Sequence, residues 1–418
     1  MIILEVQILT VIIVSVIAFL VIVLLLVSIL LYAKAKLIPS GDIKININDE
    51  KDLITQAGDT LLTNLGNSKI LLPSACGGGG TCGMCECQVV EGGGEILATE
   101  KGFFTRKEQQ EKYRLACQVK VKEDMKILIP KEIMGIKKWE CEVVSNHNVA
   151  TFIKEFIVKL PEGENMDFRS GGYIQIDVPK LNVDFKDFDI EKEYHEDWDN
   201  FKMWDLKMKN PEPTYRAYSM ANHPAEGNIV MLNIRIATPP WDRKINGFMN
   251  VNSGICSSYI FSLKAGDKVL VSGPYGEFFI KDTDNEMMFI GGGAGMAPMR
   301  SHIFDLFHTK KTKRKATFWY GARSKREIFY EDHFRALEKE FPNFSFKIAL
   351  SEPKKEDNWK GDVGFIHKVI YDNYLSKHEE PEDIEYYLCG PPMMNDAVQK
   401  MLIEQGVPNE MIDFDDFG

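Results

Sequence analysis

The apolar residues near the N-terminus form one unbroken segment. Between residues 8 and 33 there is no charged side chain in 26 positions, and most of the side chains are Val, Ile or Leu. About 20 such residues are enough for a helix to cross the hydrocarbon of a bilayer. The pattern therefore predicts a single transmembrane helix within residues 1–36.

A cleavable signal peptide is the alternative interpretation, because Ala33-Lys34-Ala35 resembles a cleavage site. Signal peptides, however, have a basic N-terminal region and an apolar core of about 7–15 residues. This N-terminus has Glu5 and no basic residue ahead of a longer core, which favours a retained anchor. Lys34 and Lys36 follow the span, so the positive-inside rule predicts that the rest of the chain lies in the cytoplasm.

The remaining chain shows three successive patterns. Residues 37–130 alternate apolar and polar positions, as in IKININ, and predict a β-grasp, ferredoxin-like α+β domain. Residues 131–280 contain many short strand-like runs between Gly, Pro and Asn turns, which is typical of an antiparallel β-barrel. In residues 281–418, strand-like runs such as MMFIGGGAG alternate with helical segments and predict a doubly wound α/β domain. The sequence thus predicts a multidomain protein with an N-terminal anchor.

Residues 180–212 interrupt the strand-rich region with charged and aromatic residues and with no clean periodicity. Two interpretations are open for this segment. It is either a solvated insertion or a docking surface for a partner, because exposed aromatic residues often mark contact sites.

The charge of the chain argues against a nucleic-acid partner. The formal net charge is −11 and the pI is about 5.4, whereas phosphate neutralisation needs clustered Lys and Arg. The one compact basic run, Lys310 to Lys315, is short. We interpret it as a solvated connection between a helix and a strand.

Four cysteines have the spacing of ligands to an iron–sulfur cluster. Cys76, Cys82 and Cys85 lie close together in PSACGGGGTCGMCEC, and Cys117 follows in RLACQV. This is the plant-type [2Fe–2S] arrangement, except that five residues instead of four separate the first two cysteines. The glycines from Gly77 to Gly80 allow the loop to adopt positive φ angles and to bring amide N–H groups close to sulfur.

Zinc and disulfides are the alternatives for these cysteines. A zinc site usually has two C-x2-C pairs or a mixture of Cys and His, and eight cysteines in 418 residues are too sparse for a disulfide scaffold. Cys87 is a further candidate, because strand alternation places it on the same face as Cys85. The C-x2-C step favours Cys85 as the ligand.

Two motifs in the strand-rich region suit a flavin dinucleotide. RAYSMAN combines Arg216, which suits a pyrophosphate, with Tyr218 and Ser219, which suit the isoalloxazine ring and its reactive nitrogen. Alone, Tyr218 and Ser219 are as easily explained as ordinary sheet residues. In GICSS, Gly254, Ser257 and Ser258 precede a helical run whose first N–H groups suit a phosphate.

Two further motifs suit a nicotinamide nucleotide. A buried strand runs into a glycine turn and then a helix, the context in which backbone approaches a pyrophosphate. The glycines of this turn are Gly291, Gly292, Gly293 and Gly295. A second strand ends in Cys389, Gly390 and Pro391, which places Cys389 toward the nicotinamide at the carboxyl end of the sheet. A purely packing role is the alternative for Cys389.

RAYS, GICSS, GGGAGMAP and CGPPMM, in this order, resemble the motifs of the ferredoxin–NADP⁺ reductase family of flavoproteins. The anchor, the cysteine domain with its five-residue gap, YGARSKREIFY and the terminal DDFG narrow the match. With them, nearly the whole chain is similar to the F subunits of Na⁺-translocating NADH:quinone reductases.

This resemblance implies FAD in the barrel, NADH in the last domain and one [2Fe–2S] cluster on the four cysteines. It implies a complex of six subunits in the bacterial inner membrane, with electrons passing to quinone through the complex. Arg216, Tyr218 and Ser219 match the flavin motif of the family, and Phe417 matches the aromatic residue that the wider family places against the flavin.

The expected reaction is hydride transfer from NADH to FAD, followed by single-electron transfer to the cluster. Arg323, Ser324 and Arg326 follow a strand where a reductase could bind the 2′-phosphate of NADPH, but they could equally contact the pyrophosphate of NADH or the solvent. The choice of NADH therefore follows from the resemblance. A soluble reductase of a multicomponent oxygenase is the alternative enzyme, and the apolar span argues against it. A redox sensor or scaffold without turnover is the alternative of another class.

Overall fold

The computed structural model describes residues 2–37 and 41–415, with side-chain surroundings for residues 12–32, 41–131 and 133–415. The chain forms two compact units. One comprises residues 1–73 and 78–135, and the other comprises residues 74–77 and 136–418.

The first helix, α1, runs over Ile2–Leu37. Its central part, Ile12–Tyr32, is the one stretch in the described ranges that is long and apolar enough to cross a membrane. The side chains of this stretch are exposed to the surroundings rather than packed against the protein. Exposed apolar surface of this extent is stable in lipid and costly in water.

A five-stranded mixed sheet forms the rest of the first unit. Its strands are β1 Asp42–Ile47, β2 Lys51–Gln56, β3 Glu86–Glu91, β4 Tyr113–Leu115 and β5 Met125–Leu128, in the order β2-β1-β5-β3-β4. Alternation decides which face is buried, because Ile43, Ile45 and Ile47 are buried while Lys44 between them is exposed. Two short helices accompany the sheet, α2 Leu61–Asn67 and α3 Arg106–Gln110.

The second unit begins with a six-stranded antiparallel sheet in the order β11-β8-β15-β6-β7-β12. The strands of this region are β6 Lys137–Ala150, β7 Ile153–Lys159, β8 Tyr173–Val178, β9 Leu181–Asp184, β10 Lys207–Asn210, β11 Thr214–Ser219, β12 Ile229–Arg235, β13 Trp241–Asp242, β14 Gly247–Phe248 and β15 Lys268–Tyr275. The helices are α4 His195–Asn200 and α5 Ile255–Ser262. The two edge strands meet at one bridge, between Met220 and Leu232.

A six-stranded parallel sheet completes the second unit, in the order β19-β18-β17-β16-β20-β21. Its strands are β16 Met287–Gly292, β17 Ala316–Ala322, β18 Phe344–Leu350, β19 Asp362–Val363, β20 Glu385–Cys389 and β21 Ile412–Asp415. Its helices are α6 Met296–Phe304, α7 Glu331–Glu340, α8 Ile366–Asn373 and α9 Pro392–Glu404. Every residue of β16 is buried, because helices cover both faces of the sheet. The predicted doubly wound fold is confirmed, and its strand order reverses between β16 and β20.

Residues 180–212 were expected to be either a solvated insertion or a docking surface, and the structure corrects the first of these interpretations. Most of the large apolar side chains of the segment are buried in the core beside the antiparallel sheet, whereas Phe201 is exposed. The buried side chains include Phe185, Phe188, Trp198, Met203 and Met208. The segment contains the β9–β10 hairpin and α4, so it is a packed part of the second unit. Its mixed sequence pattern reflects short elements that each bury only one or two side chains.

The basic run from Lys310 to Lys315 does connect the helical segment after α6 to β17, as predicted. One of its residues is not solvated. Arg314 is largely buried, and its guanidinium group lies 2.5 Å from the carboxylate of the buried residue Glu385. Pairing is required here because an isolated charge at Glu385 would be costly to bury.

Candidate functional site

Two of the predicted cluster ligands are brought together by the β3–β4 pairing. The Ala116 N–H donates a hydrogen bond of 2.8 Å to the carbonyl of Cys85, which places Cys85 and Cys117 side by side. Both side chains are buried, at 1% and 6% exposure. The hydrogen bond to the Cys117 thiol and burial raise the pKa of Cys85, and the nearby Cys82 acts in the same direction.

The loop that contains Cys82 has the backbone expected of a cluster cradle. Gly78 and Gly80 have φ angles of +89° and +76°, a conformation in which side chains with Cβ are disfavoured. Cys76 lies on the short segment Ser74–Gly77 of the second unit and is partly buried.

Among the described residues, no three His, Cys, Asp or Glu side chains converge as they would around one ion. A [2Fe–2S] cluster does not need such convergence, because its four cysteines are shared between two iron atoms. The adjacent thiols of Cys85 and Cys117 and a loop with positive φ angles therefore fit this group.

Cys87 differs from the four predicted ligands. It lies within β3, where it pairs with Arg114 of β4, and it is 2% exposed. Burial raises the pKa of Cys87 to about 12, so its thiol stays protonated at neutral pH. The structure thus places Cys87 in the core of the sheet.

The two flavin motifs meet in the second unit. β11 positions Arg216 and Tyr218 opposite Ile176 and Ile174 of β8. Burial raises the pKa of Tyr218, and its phenol is within hydrogen-bonding reach of the Cys256 thiol at the start of α5. The contact between these two side chains joins RAYS to GICSS across the intervening strands. Arg216 lies half-buried and donates a hydrogen bond of 2.7 Å to the carbonyl of Tyr215.

The start of α5 is built for a close approach of backbone and hydroxyl groups. A Cβ atom on Gly254 would lie 2.5 Å from Cβ of Ala237, so no larger residue fits without a shift. Ser257 Oγ accepts a hydrogen bond of 3.1 Å from the Ala237 N–H. The hydroxyls of Ser253 and Ser258 are buried and have no hydrogen-bond partner among the described residues. Buried hydroxyls at a helix N-terminus fit the phosphates of FAD.

The predicted nicotinamide motifs also come together. β16 and β20 run in parallel, with Gly291 opposite Cys389. A Cβ atom on Gly295 would overlap the carbonyl oxygen of Cys389, so only glycine fits at this position of the turn. The second strand of the pair ends at Cys389, and Pro391 directly precedes α9. The result is a topological switch point at the carboxyl ends of β16 and β20, the place where ligands of such sheets bind.

Glycine is also required beside this turn. A Cβ atom on Gly292 would lie 2.8 Å from Sδ of Met394, and one on Gly390 would overlap Cε of the same residue. Gly293 has a φ angle of +57°. The two glycine-containing turns therefore pack against each other through α9.

A residue that the sequence motifs did not single out joins the two halves. Ser219 Oγ donates a hydrogen bond of 2.7 Å to Oδ2 of Asp415. Asp415 lies at the end of β21, opposite Cys389 of β20. Ser219 of the flavin motif and Cys389 of the nicotinamide motif are therefore neighbours of the same residue. The terminal DDFG contained the signal, but nothing local indicated its partner. Phe417 lies outside the described residues.

Three family models match the chain in this order. A "2Fe-2S iron-sulfur cluster binding domain" matches residues 45–122, which include all four predicted cluster cysteines. An "Oxidoreductase FAD-binding domain" matches residues 200–280, and an "Oxidoreductase NAD-binding domain" matches residues 289–400.

Solved structures share the fold at low sequence identity. A cytochrome P450 reductase from Amycolatopsis is 20% identical, with a TM-score of 0.62 over 90% of this chain and 98% of its own. A ferredoxin reductase of carbazole 1,9a-dioxygenase is 22% identical, with a TM-score of 0.58 over 91% of this chain and 99% of its own. These likenesses show a fold of fused ferredoxin-like and reductase domains.

Sequence relatives are far more similar. The F subunit of the Na⁺-translocating NADH-quinone reductase of Idiomarina loihiensis is 57% identical over 93% of this chain and 95% of its own length. The proteins of the same name from Neisseria gonorrhoeae and Methylococcus capsulatus are 58% and 56% identical over the same shares. The chain therefore belongs to the family of Na⁺-translocating NADH-quinone reductase F subunits, which are oxidoreductases.

Proposed function

We propose that this chain takes electrons from NADH within a membrane-bound, Na⁺-translocating NADH:quinone reductase of six subunits. The names of its relatives support the reaction and the assembly. The apolar helix supports an anchor in the bacterial inner membrane. Lys34 and Lys36 directly after the span support a cytoplasmic position for the remaining residues.

The proposed division of labour follows the sequence motifs. Residues 1–36 anchor the chain, residues 37–130 hold the cluster, residues 131–280 hold FAD and residues 281–418 bind NADH. Cys76, Cys82, Cys85 and Cys117 would ligate the cluster. When bound, FAD links the two-electron chemistry of NADH to the one-electron chemistry of a [2Fe–2S] cluster.

The binding residues are grouped by chemistry. Arg216 supplies a permanent positive charge for the flavin pyrophosphate, and Tyr218 supplies an aromatic face. The buried hydroxyl of Ser258, together with Gly254 and Ser257 at the start of α5, would hold phosphate. Gly291, Gly292, Gly293 and Gly295, with Gly390 and Pro391, would admit the backbone of the NADH site to its pyrophosphate.

The contact between Ser219 and Asp415 is the observation that supports the reaction most directly. The Asp415 carboxylate accepts the Ser219 proton in a 2.7 Å hydrogen bond and thereby orients the hydroxyl. In this orientation the Ser219 oxygen would accept a hydrogen bond from an N–H group of the flavin, which supplies the redox chemistry when bound. Cys389 would face the nicotinamide, and its side chain is completely buried.

Ser219→Ala is expected to slow reduction of the flavin by NADH roughly 10- to 100-fold, because the site loses an oriented hydroxyl. Flavin absorbance followed by stopped flow measures this rate. Ser262→Ala is the matched control, since its hydroxyl only caps a carbonyl at the end of α5. Equal rates in both variants and the parent protein would remove Ser219 from the reaction.

The complete relay is tested by titrating the purified, full-length protein with NADH while recording visible and electron-spin spectra. The flavin band should bleach and the signal of a reduced [2Fe–2S] cluster should appear. Flavin reduction without any cluster signal would contradict the relay, and no flavin reduction would contradict NADH oxidation itself.

The anchor is tested by Leu20→Arg with Leu24→Arg. Each arginine at the centre of the span costs about 2.5–3.5 kcal/mol of insertion free energy, so the chain should move to the soluble fraction. Membrane fractionation measures the shift, and Leu20→Ile with Leu24→Ile is the control. Continued recovery of the arginine variant in washed membranes would show that another contact holds it there.

A further inference from the structure

The segment 323–330, part of YGARSKREIFY, leaves the carboxyl end of β17. In the parallel sheet, Gly321 at the end of β17 lies opposite Gly292 of β16. Ligands of doubly wound sheets bind beyond the carboxyl ends of such strands. The segment therefore lies beside the proposed NADH site. Its position would affect the binding of the part of the nucleotide that extends over β17.

Two consecutive residues of this segment are held from the antiparallel half of the unit. The Arg326 guanidinium donates a hydrogen bond of 2.7 Å to Oδ2 of Asp197 on α4. The two side chains are 31% and 23% exposed, so water screens this ion pair only in part. The hydroxyl of Thr151 donates a short hydrogen bond to the carboxylate of Glu327.

The two groups that hold the segment are themselves tied together. Thr151 lies in the turn between β6 and β7, and Asp197 precedes Trp198 on α4. The Trp198 indole N–H donates a hydrogen bond of 2.8 Å to the carbonyl of Thr151. Trp198 has no exposed surface and sits in the core of the antiparallel half. Asp197 and Thr151 therefore act from one rigid support.

A third contact holds the end of the segment. The Asn233 side chain of β12 donates a hydrogen bond of 2.8 Å to the phenol oxygen of Tyr330, and Tyr330 donates to the carboxylate of Glu155 on β7. The φ angle of Tyr330 is +59°, which is unusual for an aromatic residue. Such a conformation persists only where its surroundings hold it in place.

We propose that Asp197 and Thr151 are positioning residues for NADH, acting as a clamp on Arg326 and Glu327. The clamp fixes segment 323–330 where the adenosine diphosphate part of the nucleotide lies. This gives residues 180–212 a role in the reaction, since α4 supplies Asp197. The inference rests on the proposed NADH site and adds residues from outside the nucleotide-binding half.

The test uses the full-length protein with its cofactors. In Asp197→Asn, the Kd for ADP-ribose by calorimetry and the KM for NADH with ferricyanide as acceptor should both rise roughly three- to tenfold. The value of kcat should stay within about twofold, because the hydride-transfer residues are untouched. Flavin content should match that of the parent protein. Asp184→Asn is the matched control, since its ion pair with Lys207 stays within residues 180–212.

The charge swap Asp197→Arg with Arg326→Asp separates positioning from other roles. Recovery of the ADP-ribose Kd in the swap supports the clamp, because the ion pair returns with its direction reversed. An unchanged Kd in Asp197→Asn, or a loss confined to Arg326→Gln, would overturn it in favour of direct binding by Arg326. A fall in kcat, flavin content and Tm without a change in Kd, seen also in Thr151→Val, would overturn it in favour of a purely structural contact.

Failure of the proposed function looks different from failure of the clamp. A parent protein that binds ADP-ribose in an Asp197-dependent way but does not oxidise NADH would refute the reaction and leave the clamp supported.

Discussion

Replacing Cys85 or Cys117 with alanine is expected to abolish the [2Fe–2S] cluster while FAD remains bound. Each iron atom needs two thiolates, so loss of one ligand leaves a coordination position open. The two cysteines are adjacent and buried in the first unit, whereas the proposed FAD residues belong to the second unit. Electron-spin and visible spectra of the purified variants measure the cluster, and flavin content is measured in the same samples.

The Cys85→Ala substitution should also separate two activities, NADH oxidation with ferricyanide and reduction of quinone. Ferricyanide can take electrons before they reach the cluster, so NADH oxidation with this acceptor should persist in Cys85→Ala. Reduction of quinone by membranes that contain the variant should be lost. Cys87→Ala is the control, because Cys87 lies in the same strand region and has a protonated, core-packed thiol with a raised pKa. A cluster that survives Cys85→Ala but not Cys87→Ala would show that Cys87, and not Cys85, is the ligand.

Arg114→Met is expected to lower the free energy of unfolding of the first unit by about 3–5 kcal/mol, because it leaves a buried carboxylate without its counter-charge. Glu100 has no exposed surface, and Arg114 is 5% exposed at the side chain. Their closest approach is 2.8 Å. Arg114 also donates a hydrogen bond of 2.7 Å to the carbonyl of Gly93, and the substitution removes this hydrogen bond as well.

The effect should reach the cluster because Arg114 lies on β4, three residues before Cys117. Glu100 also accepts the Leu115 N–H at 2.9 Å and thus helps to hold this strand. Loss of cluster absorbance during urea titration measures the destabilisation. Lys107→Met is the control, since Lys107 is 83% exposed and its ion pair with Glu111 should contribute about 0–1 kcal/mol. Equal urea midpoints for both variants would show that the ion pair between Arg114 and Glu100 does not stabilise the first unit.

The shared fold and the family membership differ in how closely they define the function. Reductases that are 20–22% identical share the fold, so the fold alone does not separate one kind of reductase from another. Relatives at 56–58% identity over 93% of the chain narrow the family to one kind of enzyme. The apolar helix agrees with that narrower assignment.

Local patterns were sufficient for the elements and for the motifs they contain. Alternating isoleucines predicted the buried face of β1, and a continuous apolar run predicted the fully buried strand β16. The glycine turn between β16 and α6 was predictable from its run of glycines between a strand and a helix, whereas the close contacts of Gly292 and Gly295 with Met394 and Cys389 were not. The cysteine spacing was informative because three of the four cysteines share one loop.

Long-range pairings were not predictable in this way. Ser219 and Asp415 are 196 positions apart, and Asp197 and Arg326 are 129 positions apart. The burial of Trp198 likewise depends on residues outside its own segment, such as Phe152 before it and Phe261 after it. No periodicity within residues 180–212 could indicate that this segment packs as core.

The sequence by itself determined the apolar span, the order of the three soluble parts and the residue types at each proposed cofactor site. These depend on composition and on spacing within single elements, which backbone geometry converts directly into faces and turns. Only the tertiary structure decided that Asp415 lies next to both Ser219 and Cys389 and that Asp197 forms an ion pair with Arg326. Such contacts arise where separate elements pack, and the free energy of that packing is a property of the whole core rather than of any one segment.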